Sequence, residues 1–134
     1  MFSIGRFKVQ CEILVYLILI VLILSACQQQ VPPERMLDGM WRNGVIYATF
    51  SEDGTYAIAE LPGDLDRNPS SSGRYTFDGE HLTIFENQPS LCWFTANYSV
   101  VFPEEGQATF YTVEDSCVMR ERFFTCCLWR RYEP

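Results

Sequence analysis

The sequence of 134 residues contains a single histidine, His81, and few basic side chains. Its 10 lysines and arginines are outnumbered by 17 aspartates and glutamates, which gives a formal net charge of −7. One histidine excludes a histidine-rich metal site and leaves little for histidine-based catalysis. An acidic chain does not attract phosphate backbones, so nucleic-acid binding is not expected.

The chain also lacks the short motifs that carry common enzyme chemistry. It contains no G-x-S-x-G, no H-E-x-x-H, no phosphate-binding loop and no dinucleotide-binding glycine pattern. Two acidic groups, Asp64-Leu65-Asp66 and Glu104-Glu105, fall in predicted loops without the spacing of calcium ligands. We therefore expect no catalytic residue, no metal and no cofactor, and we predict a non-enzymatic function.

The composition nevertheless supports a folded domain. Hydrophobic residues make up 48% of the chain and aromatic residues 15%, which is too much for a disordered polymer. The length allows one ordinary domain.

Residues 1–26 differ in composition from the remainder of the chain. Arg6 and Lys8 give a basic start, and residues 13–24 form an unbroken apolar run, ILVYLILIVLIL. As a helix this run covers about 18 Å at ~1.5 Å per residue, well short of a ~30 Å hydrocarbon core. The pattern predicts a secretory signal, with a retained transmembrane anchor as an alternative.

The apolar run ends in Leu24-Ser25-Ala26-Cys27, which resembles the lipobox of bacterial lipoproteins. The resemblance implies attachment of diacylglycerol to the Cys27 thiol, removal of a lipoprotein signal peptide (residues 1–26), and acylation of the new N-terminus. Each buried CH₂ would contribute about 0.8 kcal/mol to membrane binding. We expect a membrane partner through lipid at Cys27, and an exported domain at the cell membrane or outer membrane. The alternative is an ordinary secretory signal that ends near a cysteine.

Cleavage before Cys27 would leave 108 residues with 8 basic and 16 acidic side chains, because two basic residues and one acidic residue leave with the signal. The resulting charge of −8 disfavours further docking onto anionic lipid. Residues 27–35 are interpreted as a tether stiffened by Pro32-Pro33. The remaining residues, 36–134, form the predicted domain.

From Met36 onward the sequence shows short β-type runs separated by turn signals, without sustained helical periodicity. Asp53-Gly54 and Asp78-Gly79 are strong hairpin signals. The predicted strands are residues 41–50, 55–59, 73–77, 82–85, 95–102, 107–113 and 123–132, with an exposed loop at 61–72 and a helical turn near 114–122. We predict an all-β fold, a small antiparallel up-and-down β-barrel of about seven or eight strands, because a meander removes its exposed edges by closing. A two-sheet sandwich is the competing architecture.

Two motifs at the ends of this region carry a family resemblance. Gly39-Met40-Trp41 has the Gly-x-Trp pattern that opens the first strand of lipocalins. Trp129-Arg130-Arg131 resembles the last-strand element of small bacterial lipocalin-like domains. Residues 36–132 are therefore similar to bacterial lipoproteins with a lipocalin-like domain. The resemblance implies a small barrel closed at one end, with structural roles for Gly39, Trp41, Trp129 and Arg130.

The same resemblance implies that Trp41 packs under a late arginine. Arg130 and Arg131 are candidates, and Arg120 is a third. A guanidinium stacked on an indole contributes about 0.5–2 kcal/mol, depending on how dry the contact is. A buried tryptophan with no cation above it is the alternative.

The six cysteines divide by position. Cys11 leaves with the signal and Cys27 takes lipid, so four cysteines remain in the exported domain. Four cysteines allow three pairings. The lipocalin-like resemblance implies the disulfide Cys92–Cys117, which would contribute about 3–4 kcal/mol in the chain-entropy model.

The adjacent Cys126 and Cys127 fall in the last predicted strand, where neighbouring side chains point to opposite faces. One thiol could be buried as a small hydrophobe, or the pair could form a strained vicinal disulfide that acts as a redox switch. Pairing with Cys92, with Cys117 or with another chain is the third alternative. A zinc site is not expected, because no spaced C-x₂-C pair is present.

The aromatic pair Trp93-Phe94 lies beside the implied disulfide and is our candidate for a ligand or partner contact. We predict a cell-envelope lipoprotein whose barrel binds a small apolar ligand or a protein partner. One alternative is a periplasmic protease inhibitor whose N-terminal segment, Gln28 to Arg35, enters a protease cleft. A thiol–disulfide enzyme that uses Cys126 or Cys127 is a third hypothesis.

Overall fold

The computed structural model describes residues 15–20, 31–44, 46–87 and 92–134. The chain forms two compact units, Met1–Val31 and Pro32–Pro134. Within the first unit, residues 15–20 are helical and exposed. Across the described ranges, we find no helix with the length and apolar character needed to cross a bilayer. The predicted lipidation site, Cys27, lies outside the described residues.

The second unit is a closed antiparallel β-barrel. Its described residues form the strands β1 (Gly39–Arg42), β2 (Tyr47–Phe50), β3 (Thr55–Ala59), β4 (Ser71–Phe77), β5 (His81–Glu86), β6 (Ala96–Val101), β7 (Gln107–Glu114) and β8 (Trp129–Arg131). Each strand pairs with the next along the chain, and β8 pairs with β1. Helix α1 (Val118–Thr125) joins β7 to β8, and 3-10 turns occupy Pro33–Arg35 and Pro62–Asp64. The predicted up-and-down barrel of about seven or eight strands is confirmed, with eight strands, and the strands close into a barrel instead of a sandwich.

Buried and more exposed side chains alternate along the strands, and the buried ones point into the barrel. In β5, Leu82 and Ile84 are fully buried between more exposed neighbours, and Tyr98 and Val100 repeat the pattern in β6. A strand with one face on a core shows this period of two. On β2 the buried residues are Ala48 and Phe50, which alternate with half-buried neighbours.

The barrel interior is filled by large side chains, many of them aromatic. Phe124 of α1 is fully buried and enters the barrel from one end. Its ring lies 5.0 Å from that of Tyr98, 5.2 Å from that of Phe110 and 5.9 Å from that of Trp129, measured between centroids. Such tilted and edge-to-face pairs are favourable beyond simple burial.

The predicted strand at residues 41–50 is wrong, because the structure divides it into β1 and β2. Arg42 and Tyr47 are cross-strand partners, and the Asn43 amide donates to the Ile46 carbonyl at 3.1 Å. Gly44, with a φ of +100°, takes the left-handed conformation within this turn. Asn-Gly is a strong hairpin signal, and the apolar run that follows it obscured the turn.

The C-terminal prediction is also corrected. Strand β7 continues to Glu114, the helix lies at 118–125 instead of 114–122, and the last strand is 129–131 instead of 123–132. Arg120 and Phe124 are both buried, and their spacing of four residues places them on one helical face. The helix is therefore displaced toward the C-terminus, where Phe124 can fill the barrel.

The sequence predicted an exposed loop between β3 and β4, but in the structure this loop is partly buried. Leu65 is only 4% exposed and packs against Ala57 and Ala59 on the outer face of β3. Met40 and Tyr47 flank this small second cluster. The loop therefore covers part of the barrel's outer wall.

The strand directions give the barrel two distinct ends. The entry end carries residues 33–38 and the turns at 51–54 and 78–80. The disulfide end carries the 43–46 hairpin, residues 92–95 and helix α1. The 3-10 turn Pro33–Arg35, assigned to the tether from sequence, belongs to the barrel unit.

Candidate functional site

The disulfide end is organised around the Cys92–Cys117 bond. The predicted pairing is confirmed, with the two cysteines 25 residues apart in sequence. The bond joins the segment before β6 to the residue that precedes α1. Two chain segments at the rim of the barrel are thereby fixed to each other.

A second tie between these segments is the buried guanidinium of Arg120, which is 3% exposed. It donates to both carboxylate oxygens of Asp115, at 2.9 and 2.7 Å, and to Glu86 at 3.1 Å. It also donates to the carbonyl oxygens of Cys92 (2.8 Å) and Phe94 (2.9 Å). Arginine can do this because its planar group presents five donors in a fixed fork.

Asp115 is the counter-ion at the centre of this network. Its carboxylate also accepts hydrogen bonds from the Cys117 amide at 2.8 Å and from the Tyr98 hydroxyl. Burial would raise the pKa of Asp115, but the hydrogen bonds from Arg120 and Tyr98 outweigh it and hold that pKa below its usual range. Burial, together with the same carboxylate, raises the pKa of Tyr98. The network is therefore a charged Asp115 held by a charged Arg120.

Four apolar residues next in sequence to the two bonded cysteines have exposed side chains. Trp93 and Phe94 are 53% and 47% exposed, and their rings stack with centroids 4.2 Å apart and an interplanar angle of 27°. Val118 and Met119, on the other side of the disulfide, are 59% and 61% exposed. We call these four residues the disulfide-end patch. Exposed aromatic side chains on a fixed backbone are typical of contact surfaces.

The entry end contains the predicted tryptophan–arginine pair. The guanidinium carbon of Arg131 lies 4.7 Å from the centre of the buried Trp41 ring. The same guanidinium donates to the carbonyl oxygens of Met36 and Asp38, and the Trp41 indole donates to the Leu37 carbonyl at 2.7 Å.

The arginine that covers Trp41 is therefore Arg131. Arg130, also predicted to be structural, is exposed and lies opposite Arg42 on β1 and Gln107 on β7. Successive strand residues point to opposite sides, so only one of two neighbouring arginines can reach the ring. Trp129 is fully buried and donates to the Phe124 carbonyl at 3.0 Å.

Gly39 makes room for this arrangement. It has a φ of +114°, and a Cβ built on it would lie 2.6 Å from an Nη atom of Arg131. A larger residue would combine a strained backbone with a clash. The structural role implied for Gly39 thus has a steric basis.

A polar groove of about 490 Å³ also lies at the entry end. It is lined by Glu34, Arg35, Asp38, Glu52, Gly54, Tyr75, Thr76 and Phe77. Arg35 forms ion pairs with Asp38 and Glu52, and the Tyr75 hydroxyl donates to Asp38. Arg35, Asp38 and Glu52 are thus engaged with one another.

His81 is exposed and lies 3.3 Å from Asp78 beside the hairpin turn, as expected for a surface residue. Cys126 and Cys127 are both free and both exposed, so neither is buried as a small hydrophobe. Among the residues that the structure describes, no cluster of three or more metal-ligating side chains is found.

No family model, curated protein or solved structure matches the chain.

Proposed function

We propose that this chain is a lipid-anchored lipoprotein of the bacterial cell envelope whose barrel is a non-enzymatic binding module. The order of basic start, short apolar run, small residues and Cys27 supports the anchor. The lipocalin-like resemblance of residues 36–132 supports a binding role over a catalytic one. The proposed anchor places the module at the cell membrane or outer membrane, on the exported side.

The Cys92–Cys117 bond supports export. Structural disulfides persist in oxidising compartments and are rare in the reducing cytosol. In intact cells, both cysteines should resist alkylation until a reductant is added. Free thiols at both positions would contradict export of the domain.

The filled interior favours a protein partner over a small apolar ligand. Trp41, Phe50, Tyr98, Phe124 and Trp129 are all buried, and they occupy the volume in which an eight-stranded barrel would hold a ligand. Soaking the protein with a lipophilic fluorophore should therefore give no displaceable signal. A saturable signal would revive the small-ligand hypothesis.

The observation that carries the proposal is the exposed aromatic pair Trp93–Phe94 on a backbone fixed by Arg120. The pair lies at the disulfide end, opposite the end where the chain enters the barrel. Tryptophan is among the residues that most often dominate binding energy at protein interfaces.

Photo-cross-linking in intact cells tests this contact. A photoreactive residue at position 94 should give a discrete adduct that is lost when Trp93→Ala is added. The matched control is position 111, because Tyr111 is 56% exposed but lies on the outside of β7. Equal adducts from both positions, or none from position 94, would refute a contact through this pair.

The packing of the N-terminal segment favours this module over the protease-inhibitor alternative. Pro33 packs close to Gly79, Leu37 is fully buried, and Arg131 holds the carbonyls of Met36 and Asp38. Residues 33–38 are therefore held against the entry end of the barrel, so the C-terminal part of the proposed inhibitory segment is not a free arm. Envelope proteases should keep full activity in the presence of the protein.

A further inference from the structure

Cys126 and Cys127 form a pair of exposed thiols that the proposed function does not use. They follow helix α1 directly, at the disulfide end of the barrel. The structure places them in a bend and not in the predicted strand. Residues in a strand would direct their sulfurs to opposite faces, but that constraint does not apply here.

The local backbone allows the two thiols to act together. Cys126 closes helix α1 in a right-handed helical conformation, and Cys127 is the next residue of the bend. Both side chains are exposed. Partial burial, and then the neighbouring Cys127 thiol, raises the pKa of Cys126 to about 11. Two neighbouring exposed thiols in a bend can both bond to one atom.

A buried amide adjoins this pair. Asn43 is 5% exposed, and its Nδ2 donates to the Phe123 carbonyl at 2.8 Å and to the Cys126 sulfur at 3.5 Å. Its Oδ1 is buried and has no hydrogen-bond partner in the described part of the chain. An unpartnered buried acceptor is unusual and marks a site where another group would be accommodated. Asn43, which contacts the Cys126 sulfur, thus has a carbonyl oxygen without a hydrogen-bond partner among the described residues.

We propose that the sulfurs of Cys126 and Cys127 chelate one soft, thiophilic ion of the trivalent-arsenic type beside the amide of Asn43. Thiolates prefer soft ions, and two neighbouring sulfurs suit an ion that accepts them at a narrow angle. Each thiol loses its proton and forms one bond from sulfur to the ion. With phenylarsine oxide as the probe, the two protons and the oxide oxygen leave as water, and no electron is transferred.

The test uses protein purified in detergent from the cell envelope, because the proposed processing removes Cys11 and acylates Cys27. The protein is treated with a mild reductant that leaves Cys92–Cys117 intact. Wild-type protein should take up one phenylarsenic group, detected by intact mass. Added 2,3-dimercaptopropanol should remove the group, whereas 2-mercaptoethanol at the same thiol concentration should not. Cys126→Ser and Cys127→Ser should each lose the stable adduct, because one sulfur–arsenic bond exchanges readily.

Three results would overturn the proposal. One is a stable adduct on either serine variant. Another is no adduct on wild-type protein whose two thiols both react with iodoacetamide. The third is a Cys126–Cys127 pair that stays oxidised after treatment with the reductant.

Circular dichroism checks that both exposed serine substitutions keep the fold. The Asn43→Ala variant should release the adduct to 2,3-dimercaptopropanol faster than wild-type protein does. An unchanged release rate would overturn the part assigned to Asn43.

Discussion

Removal of the Arg120 guanidinium is the sharpest test of how the disulfide end is held together. The Asp115 and Glu86 side chains are 0% and 6% exposed, and Arg120→Ala deprives both of their cationic partner. Breaking a buried ion pair by deleting one member costs about 3–5 kcal/mol. A single domain is stable by about 5–15 kcal/mol. Arg120→Ala should therefore remove a large share of the free energy of unfolding.

Urea unfolding followed by circular dichroism measures this loss. Arg122→Ala is the matched control, because Arg122 is exposed on the same helix. Arg120→Lys should fall between them, since an ammonium keeps the charge but cannot reproduce the five-donor fork. Trp93 fluorescence should change in Arg120→Ala, because the Cys92 and Phe94 carbonyls lose their donor. A loss within about 1 kcal/mol of the Arg122→Ala value would refute the assigned role.

Three further perturbations have defined outcomes. Arg131→Ala should destabilise the protein by about 1–2 kcal/mol in thermal or urea unfolding, because it removes the contact over Trp41. The control Arg130→Ala should have little effect. Equal losses in the two variants would contradict the assignment of Arg131 to Trp41. Gly39→Ala should cost about 1–3 kcal/mol through its positive φ and its clash with Arg131, and an unchanged midpoint would contradict that steric role. Asp115 has a lowered folded pKa, so its contribution is present above the unfolded pKa of about 3.9 and is lost as the pH falls through the folded value. Asp115→Asn should therefore be less stable than wild type at neutral pH, and the difference between their free energies of unfolding should shrink at acidic pH. A difference that stays constant from neutral to acidic pH would show that Asp115 does not titrate in this way.

Local signals were sufficient for most of the barrel. Asp53-Gly54 and Asp78-Gly79 marked two hairpins that the structure contains, and the β-type runs around them became β3, β4 and β5. Sequential antiparallel pairing then leaves few arrangements, so a closed up-and-down barrel was predicted, although the turn that divides β1 from β2 was missed. The direction of the inward face did not, because apolar residues occupied both faces.

The errors arose where tertiary contacts outweigh local preference. Phe123 and Phe124 have a strand-like composition, yet Phe124 completes the core from a helix. That shift also moved Cys126 and Cys127 out of a strand and into the bend that follows the helix.

The candidate site was only partly predictable. The contact candidate Trp93-Phe94 followed from sequence position, and the disulfide followed from family resemblance. The contacts of Arg120 with Glu86 and with two carbonyls, which span 26 to 34 residues, had no sequence signal. Long-range contacts of this kind depend on how the barrel brings its loops together.

Metabolic labelling with an alkyne fatty acid tests the lipid anchor most directly. Cells that express the wild-type chain should incorporate the label into this protein, and Cys11→Ser should label equally, because Cys11 lies in the segment that cleavage removes. Cys27→Ala should abolish the label and leave the leader uncleaved. Unlabelled wild-type protein at normal abundance, or a label that persists in Cys27→Ala, would contradict the proposed lipoprotein.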